Sequence, residues 1–63
     1  MLKLLAEIKT GDKFHTERFG LLVATRCAYV PADSILYRID VEANQYGLDY
    51  FSGFGDIILE IEK

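Results

Sequence analysis

The clearest periodicity in the chain runs from Ser34 to Ala43, where Ile35, Tyr37, Ile39 and Val41 alternate with Leu36, Arg38, Asp40 and Glu42. A period of two, with β-branched and aromatic residues on one face and mostly charges on the other, predicts a half-buried strand. A helix would scatter the same side chains around its circumference. Asn44-Gln45-Tyr46-Gly47 follows as a hairpin loop, with Gly47 placed to supply a positive φ. The return strand is Leu48 to Ser52, with Leu48 and Tyr50 on one face and Asp49 and Phe51 on the other. Ile57, Leu59 and Ile61 alternate with Ile58, Glu60 and Glu62, which predicts a last half-buried strand. Its mate is the first segment, where Leu2, Leu4, Ala6 and Ile8 share a face opposite Lys3, Glu7 and Lys9. Lysines across from glutamates favour antiparallel pairing of the two termini. A short helix over 2–9 competes with the strand, because Leu, Ala, Glu and Lys all tolerate helix.

The segment Leu21 to Val30 breaks the alternation. Leu21, Val23, Cys27 and Tyr29 form one face, and Leu22, Ala24, Ala28 and Val30 form a second apolar face. In a large protein such a strand is central and buried on both sides. Here it predicts either a strongly bent strand serving two parts of a small barrel or a self-association surface. On the second reading, Leu22, Ala24, Ala28 and Val30 meet another copy in a homodimer or larger assembly. Breakers at Thr10-Gly11-Asp12, Gly20, Pro31-Ala32-Asp33-Ser34 and Ser52-Gly53-Phe54-Gly55-Asp56 cut the chain into pieces of strand length. The expected fold is all-β: one domain over 1–63, a small five-stranded antiparallel barrel with tight turns.

Gly11-Asp12-Lys13-Phe14-His15, then Phe19-Gly20, then Leu22-Val23-Ala24, then the alternating strand and glycine-bearing hairpin, resemble an SH3-like barrel of the Tudor-like or KOW-like variety. The resemblance covers residues 10–52 in order and spacing. Leu21-Leu22 stands where the second small residue after Phe-Gly is usual in those families, and a four-aromatic cage is absent. The resemblance implies binding rather than catalysis, with nucleic acid or a protein surface as the ligand.

Composition narrows the classes further. The 63 residues are 51% hydrophobic, too apolar for disorder, and the single Cys allows neither a disulfide framework nor a cysteine-based zinc site. No apolar run approaches the roughly 20 residues that cross a bilayer, and acidic Glu7 follows the first six residues too soon for a signal peptide. A cytoplasmic chain without membrane contact is the expectation. Asp12, His15 and Glu17 form a loose polar cluster that could bind a metal or move a proton, but a third ligand at suitable spacing is missing, and Asp12 reads as a turn residue bonding nearby amides. Cys27 reads as a buried small hydrophobe. Gly53-Phe54-Gly55 is followed by Asp56, the wrong charge for phosphate, and reads as a turn or bulge. A non-catalytic protein without cofactor or metal follows from these readings.

Charge carries the functional expectation. The net charge is −3, divided into +2 over residues 1–26 and −5 over residues 27–63. Asp40, Glu42 and Asp49 with Tyr46, Tyr50, Phe51 and Phe54 make an acidic, aromatic surface suited to a protein partner. Four Tyr and four Phe exceed what one small core readily hides, so some belong to the surface. The size fits a small accessory or inhibitory protein, of the kind bacteriophages encode, that docks on a larger partner. The alternative is a nucleic-acid-binding barrel using Lys9, Lys13, His15, Arg18 and Arg26 with Phe14 and Phe19, against which the overall acidity counts.

Overall fold

A computed structural model describes residues 1–62. The fold is all-β and antiparallel, with six strands among the described residues: β1 (Leu2–Leu4), β2 (Lys13–Thr16), β3 (Gly20–Val23), β4 (Tyr37–Asp40), β5 (Tyr50–Gly53) and β6 (Ile58–Glu62). They form a four-stranded sheet in the order β1-β6-β2-β3 and a separate β4-β5 ribbon. The expected five-stranded barrel is therefore corrected to six strands in two sheets that do not close. The additional strand is β2, which sits between β6 and β3 although only one of its four residues, Phe14, is apolar. A single apolar residue writes no alternation into the sequence. The turn into β3 holds β2 in place: the Thr16 hydroxyl donates to the Gly20 carbonyl at 3.0 Å and accepts from the Phe19 amide at 3.0 Å. Gly20 adopts φ +67°, which favours glycine.

The core lies between the two sheets. Phe14 is fully buried, opposite Leu22 on one side and Ile61 on the other. Ile39 and Val41 contribute from the ribbon side, and Leu5 and Ile8 complete the buried cluster. Phe51 packs its ring on Phe14 with centroids 5.7 Å apart, so the two sheets meet aromatic to aromatic. The alternations predicted for β4 and β6 hold: Ile39, Val41, Leu59 and Ile61 face inward. Ile35 departs from its predicted face and is 85% exposed, because the chain turns at Pro31–Ser34 and becomes a strand only at Tyr37.

The first segment combines both expectations. Leu2–Leu4 pairs antiparallel with β6 as expected, then a 3₁₀ turn over Leu5–Glu7 ends the strand. Its inward face is reversed from the prediction. Lys3 sits opposite buried Leu59 and reaches Asp12 at 2.8 Å, whereas Leu2 and Leu4 point outward. The turn shifts the parity, so Leu5 and Ile8 supply the buried side chains. The ion pair joining the termini is Met1 amine to Glu60 at 2.7 Å rather than lysine to glutamate.

The segment 21–30 bends after Ala24. Ala24 bridges to Val41 and Tyr29 bridges to Arg38, so one stretch of chain serves both sheets. Gly55 allows the return to β6: a Cβ there would lie 2.6 Å from the Tyr37 ring and 3.2 Å from Ala6. Among the described residues no helix is long and apolar enough to cross a membrane.

Candidate functional site

The hairpin loop between β4 and β5 is built around one side chain. Asn44 Oδ1 accepts from the amides of Tyr46 (3.1 Å) and Leu48 (3.2 Å), and Nδ2 donates to the carbonyls of Glu42 (3.0 Å) and Leu48 (2.9 Å). An asparagine that bonds its own backbone a few residues on replaces ladder pairing with a compact loop. Gly47, at φ +64°, supplies the left-handed residue as expected. Because the loop is wider than a four-residue turn, the return strand begins at Tyr50 rather than at Leu48.

This loop and β5 form one wall of a groove of about 430 Å³; Arg18 and Phe19, in the turn between β2 and β3, form the other. Leu48 and Phe51 pack against the core and present apolar surface to the groove. Tyr46 meets Phe19 edge-on at 5.5 Å, and the Arg18 guanidinium lies 5.9 Å from the Phe19 ring. Asp49 is exposed on the β5 side. A second cavity of about 390 Å³ continues past Arg18 and Phe51 toward Ile57–Glu60.

On the outer face of the ribbon, Arg38 lies 3.9 Å over the Tyr50 ring and Arg26 lies 4.3 Å over Tyr29. Asp40 joins them, accepting from Arg38 at 3.1 Å, Arg26 at 3.4 Å and the Tyr29 hydroxyl at 3.3 Å. The hydrogen bond to Asp40 raises the Arg38 pKa above its ordinary value. Arg38 thereby covers one face of the Tyr50 ring, and Tyr50 also lines the groove.

Of the acidic, aromatic set expected to bind protein, the fold gathers Asp49, Tyr50 and Phe51 at the groove, and Tyr46 stands beside it against Phe19. Phe51 is half core. Asp40 is held by two arginines, Glu42 is exposed just beyond the end of β4, and Phe54 is 58% exposed in the turn before β6. Arg18, Phe19 and Leu48 were not singled out as parts of one protein-binding surface; no local pattern marks them, since two separate hairpins bring them side by side.

The face expected to meet another copy is covered by the chain itself. Leu22 and Ala24 are buried and Ala28 packs on the core, leaving only Val30 exposed among the four. The bend after Ala24 is the physical reason. The basic set is dispersed: Lys13 and His15 lie opposite Glu62 and Glu60, Arg26 is paired with Asp40, Arg18 lies at the groove, and Lys9 belongs to the turn closed by Asp12. Interleaved carboxylates weaken any phosphate-binding potential there.

Asp12 acts as the expected turn residue, accepting from the Lys9 amide at 2.9 Å. Its hydrogen bond from Lys3 outweighs burial and holds its carboxyl below the ordinary carboxylate value. Asp12, His15 and Glu17 are not drawn together into a metal-binding group. The reading of Cys27 as buried is corrected: the thiol is exposed, 3.9 Å from the Thr10 hydroxyl, because the chain has already bent away from the core. Hydrogen bonding from the Thr10 backbone and then its side chain lowers the Cys27 pKa.

No family model matches the chain, and no curated protein or solved structure matches it.

Proposed function

We propose that this chain is a non-catalytic protein-interaction module whose ligand surface is the groove between β5 and the Glu17–Phe19 turn. The observation that carries this reading is the gathering of exposed Asp49 and Tyr50 with the apolar side chains of Phe19, Leu48 and Phe51 in one groove, with Tyr46 packed on Phe19 at its side. Aromatic anchors that keep one face free give large contact area at small entropic cost, which is the composition of binding hot spots. The nucleic-acid reading has less support, because the basic residues stand among carboxylates.

The test is a pull-down from native cytosol with the wild-type chain and with an Asp49→Lys/Tyr50→Ser variant, two exposed groove residues, as baits, after both are shown to unfold at similar temperature. The expected result is a protein retained by wild type and lost by the variant. Identical captured sets would overturn the assignment of the groove. Oligonucleotide binding that falls steeply with added salt would favour the alternative.

A further inference from the structure

We infer that the occupant of the groove is an extended peptide segment that adds to β5 as a new strand, with a basic residue toward Asp49 and an acidic residue toward Arg18. This deepens the binding reading above and rests on it. The first observation is hydrogen-bond parity. The Val41 amide donates to the Asp49 carbonyl at 3.2 Å, so Asp49 and Val41 form a hydrogen-bonded pair of the antiparallel ladder. With Ile39 opposite Phe51 and Tyr37 opposite Gly53, alternation makes those the next hydrogen-bonded pairs. The amides and carbonyls of Tyr50 and Ser52 consequently point away from β4, toward the groove. β4 confirms the parity from its other side: Arg38 exchanges bonds with Tyr29 (2.6 and 3.1 Å), and the Asp40 carbonyl accepts from Thr25 at 2.8 Å.

The second observation is that each of the other edges is occupied at one position, and none of them borders an aromatic groove. The outer edge of β3 is joined to the ribbon by the Glu42 amide on the Val23 carbonyl at 2.9 Å. The edge of β1 is blunted by the Glu7 carboxylate, which accepts from the Leu4 amide at 3.0 Å. Proteins usually disarm exposed edges in such ways. Among the described residues, Tyr50 and Ser52 have no backbone partner and no side chain capping them, and this open edge is the one that borders an aromatic groove. Two donors and two acceptors in strand geometry, beside pockets for alternate side chains, are the elements of β-strand addition.

The charges orient the guest. Asp49 and Arg18 form no ion pair within the described chain, and only Arg18 reaches the second cavity, so the groove presents a carboxylate and a guanidinium at separate places along its length. A guest strand matches them with opposite charges and lays an apolar side chain between them over Phe51 and Leu48. Four β5 residues, at about 3.3 Å each, accommodate a guest of four or five residues.

The test uses two capped peptides of opposite polarity, Lys-Val-Thr-Val-Glu and Glu-Val-Thr-Val-Lys, at millimolar concentration, with backbone-N-methylated versions as controls. Amide hydrogen exchange and chemical shifts are read on the whole chain. One of the two peptides is expected to slow exchange at Tyr50 and Ser52 at least tenfold, and its N-methylated form is expected to lose the effect. A Ser52→Pro variant removes an edge amide that the fold does not use, so it should unfold within a few degrees of wild type yet fail to bind. Unchanged exchange with both peptides overturns the proposal, as does protection that appears without peptide and grows with protein concentration, which assigns the edge to a second copy. Peptides that shift Phe19 and Leu48 while leaving Tyr50 and Ser52 unprotected overturn strand addition but leave the groove reading standing.

Discussion

Replacing Asn44 by alanine removes four hydrogen bonds from the loop that shapes one wall of the groove: two accepted from Tyr46 and Leu48, two donated to Glu42 and Leu48. A typical bond contributes about 0.5–1.5 kcal/mol net. Asn44 is half-exposed, so the freed amides and carbonyls regain water and the lower figure applies, about 2 kcal/mol for the four. Rotamer freedom recovered by losing the fixed side chain offsets roughly 0.5 kcal/mol. The expected loss is therefore about 1.5 kcal/mol, a substantial part of the roughly 3–9 kcal/mol available to a domain of this size. Thermal unfolding followed by circular dichroism should show a midpoint lower by about 6–12 °C, at about 4–8 °C per kcal/mol. Gln45→Ala is the control, since that side chain is exposed and makes no hydrogen bond in the described chain. A loss in Asn44→Ala below about 0.5 kcal/mol, the range of neutral surface changes, would refute the role assigned to the side chain. An equal loss in both variants would refute it too.

Two further predictions test local chemistry. The Asp12 pKa is lowered on folding, chiefly by its hydrogen bond from Lys3, so its stabilisation is complete above the ordinary carboxylate value of 3.8 and is lost as pH falls through the lower folded value. The stability difference between wild type and Asp12→Asn, measured by urea unfolding from pH 6 to pH 2.5, should shrink across that acid range; a constant difference would contradict it. The Cys27 thiol, exposed and with its pKa lowered by Thr10, should react with iodoacetamide in the native protein, with a rate profile shifted to lower pH than that of a free thiol and partly restored by Thr10→Val. Reaction only after denaturation would return Cys27 to the core.

Alternation along a strand is a local property, and it was legible wherever one face is buried over several residues. Ile39 in β4 with Val41 just after it, and Leu59 and Ile61 in β6, reveal their elements because the core demands apolar side chains at every second position. Gly47 was legible for a similar reason: its backbone conformation is a requirement of the turn itself. β2 was not legible, since Phe14 alone carries its burial and its neighbours β3 and β6 decide that it is a strand. The reversed face of β1 depended on a 3₁₀ turn that no apolar periodicity announces. The second apolar face of 21–30 was visible as a pattern, but only the bend and the bridges to Val41 and Arg38 show that the chain covers most of it.

The candidate site follows the same division. Tyr46, Asp49, Tyr50 and Phe51 stand close together in the sequence and were recognisable as a surface, whereas Arg18 and Phe19 join them only when two hairpins pack against one core. The composition and spacing of the chain by themselves determined that it folds as short antiparallel strands with glycine-bearing turns. Tertiary structure alone decided which edge stays open, because an edge is defined by the partner a strand lacks, and hydrogen-bond pairing between strands distant in sequence leaves no local trace.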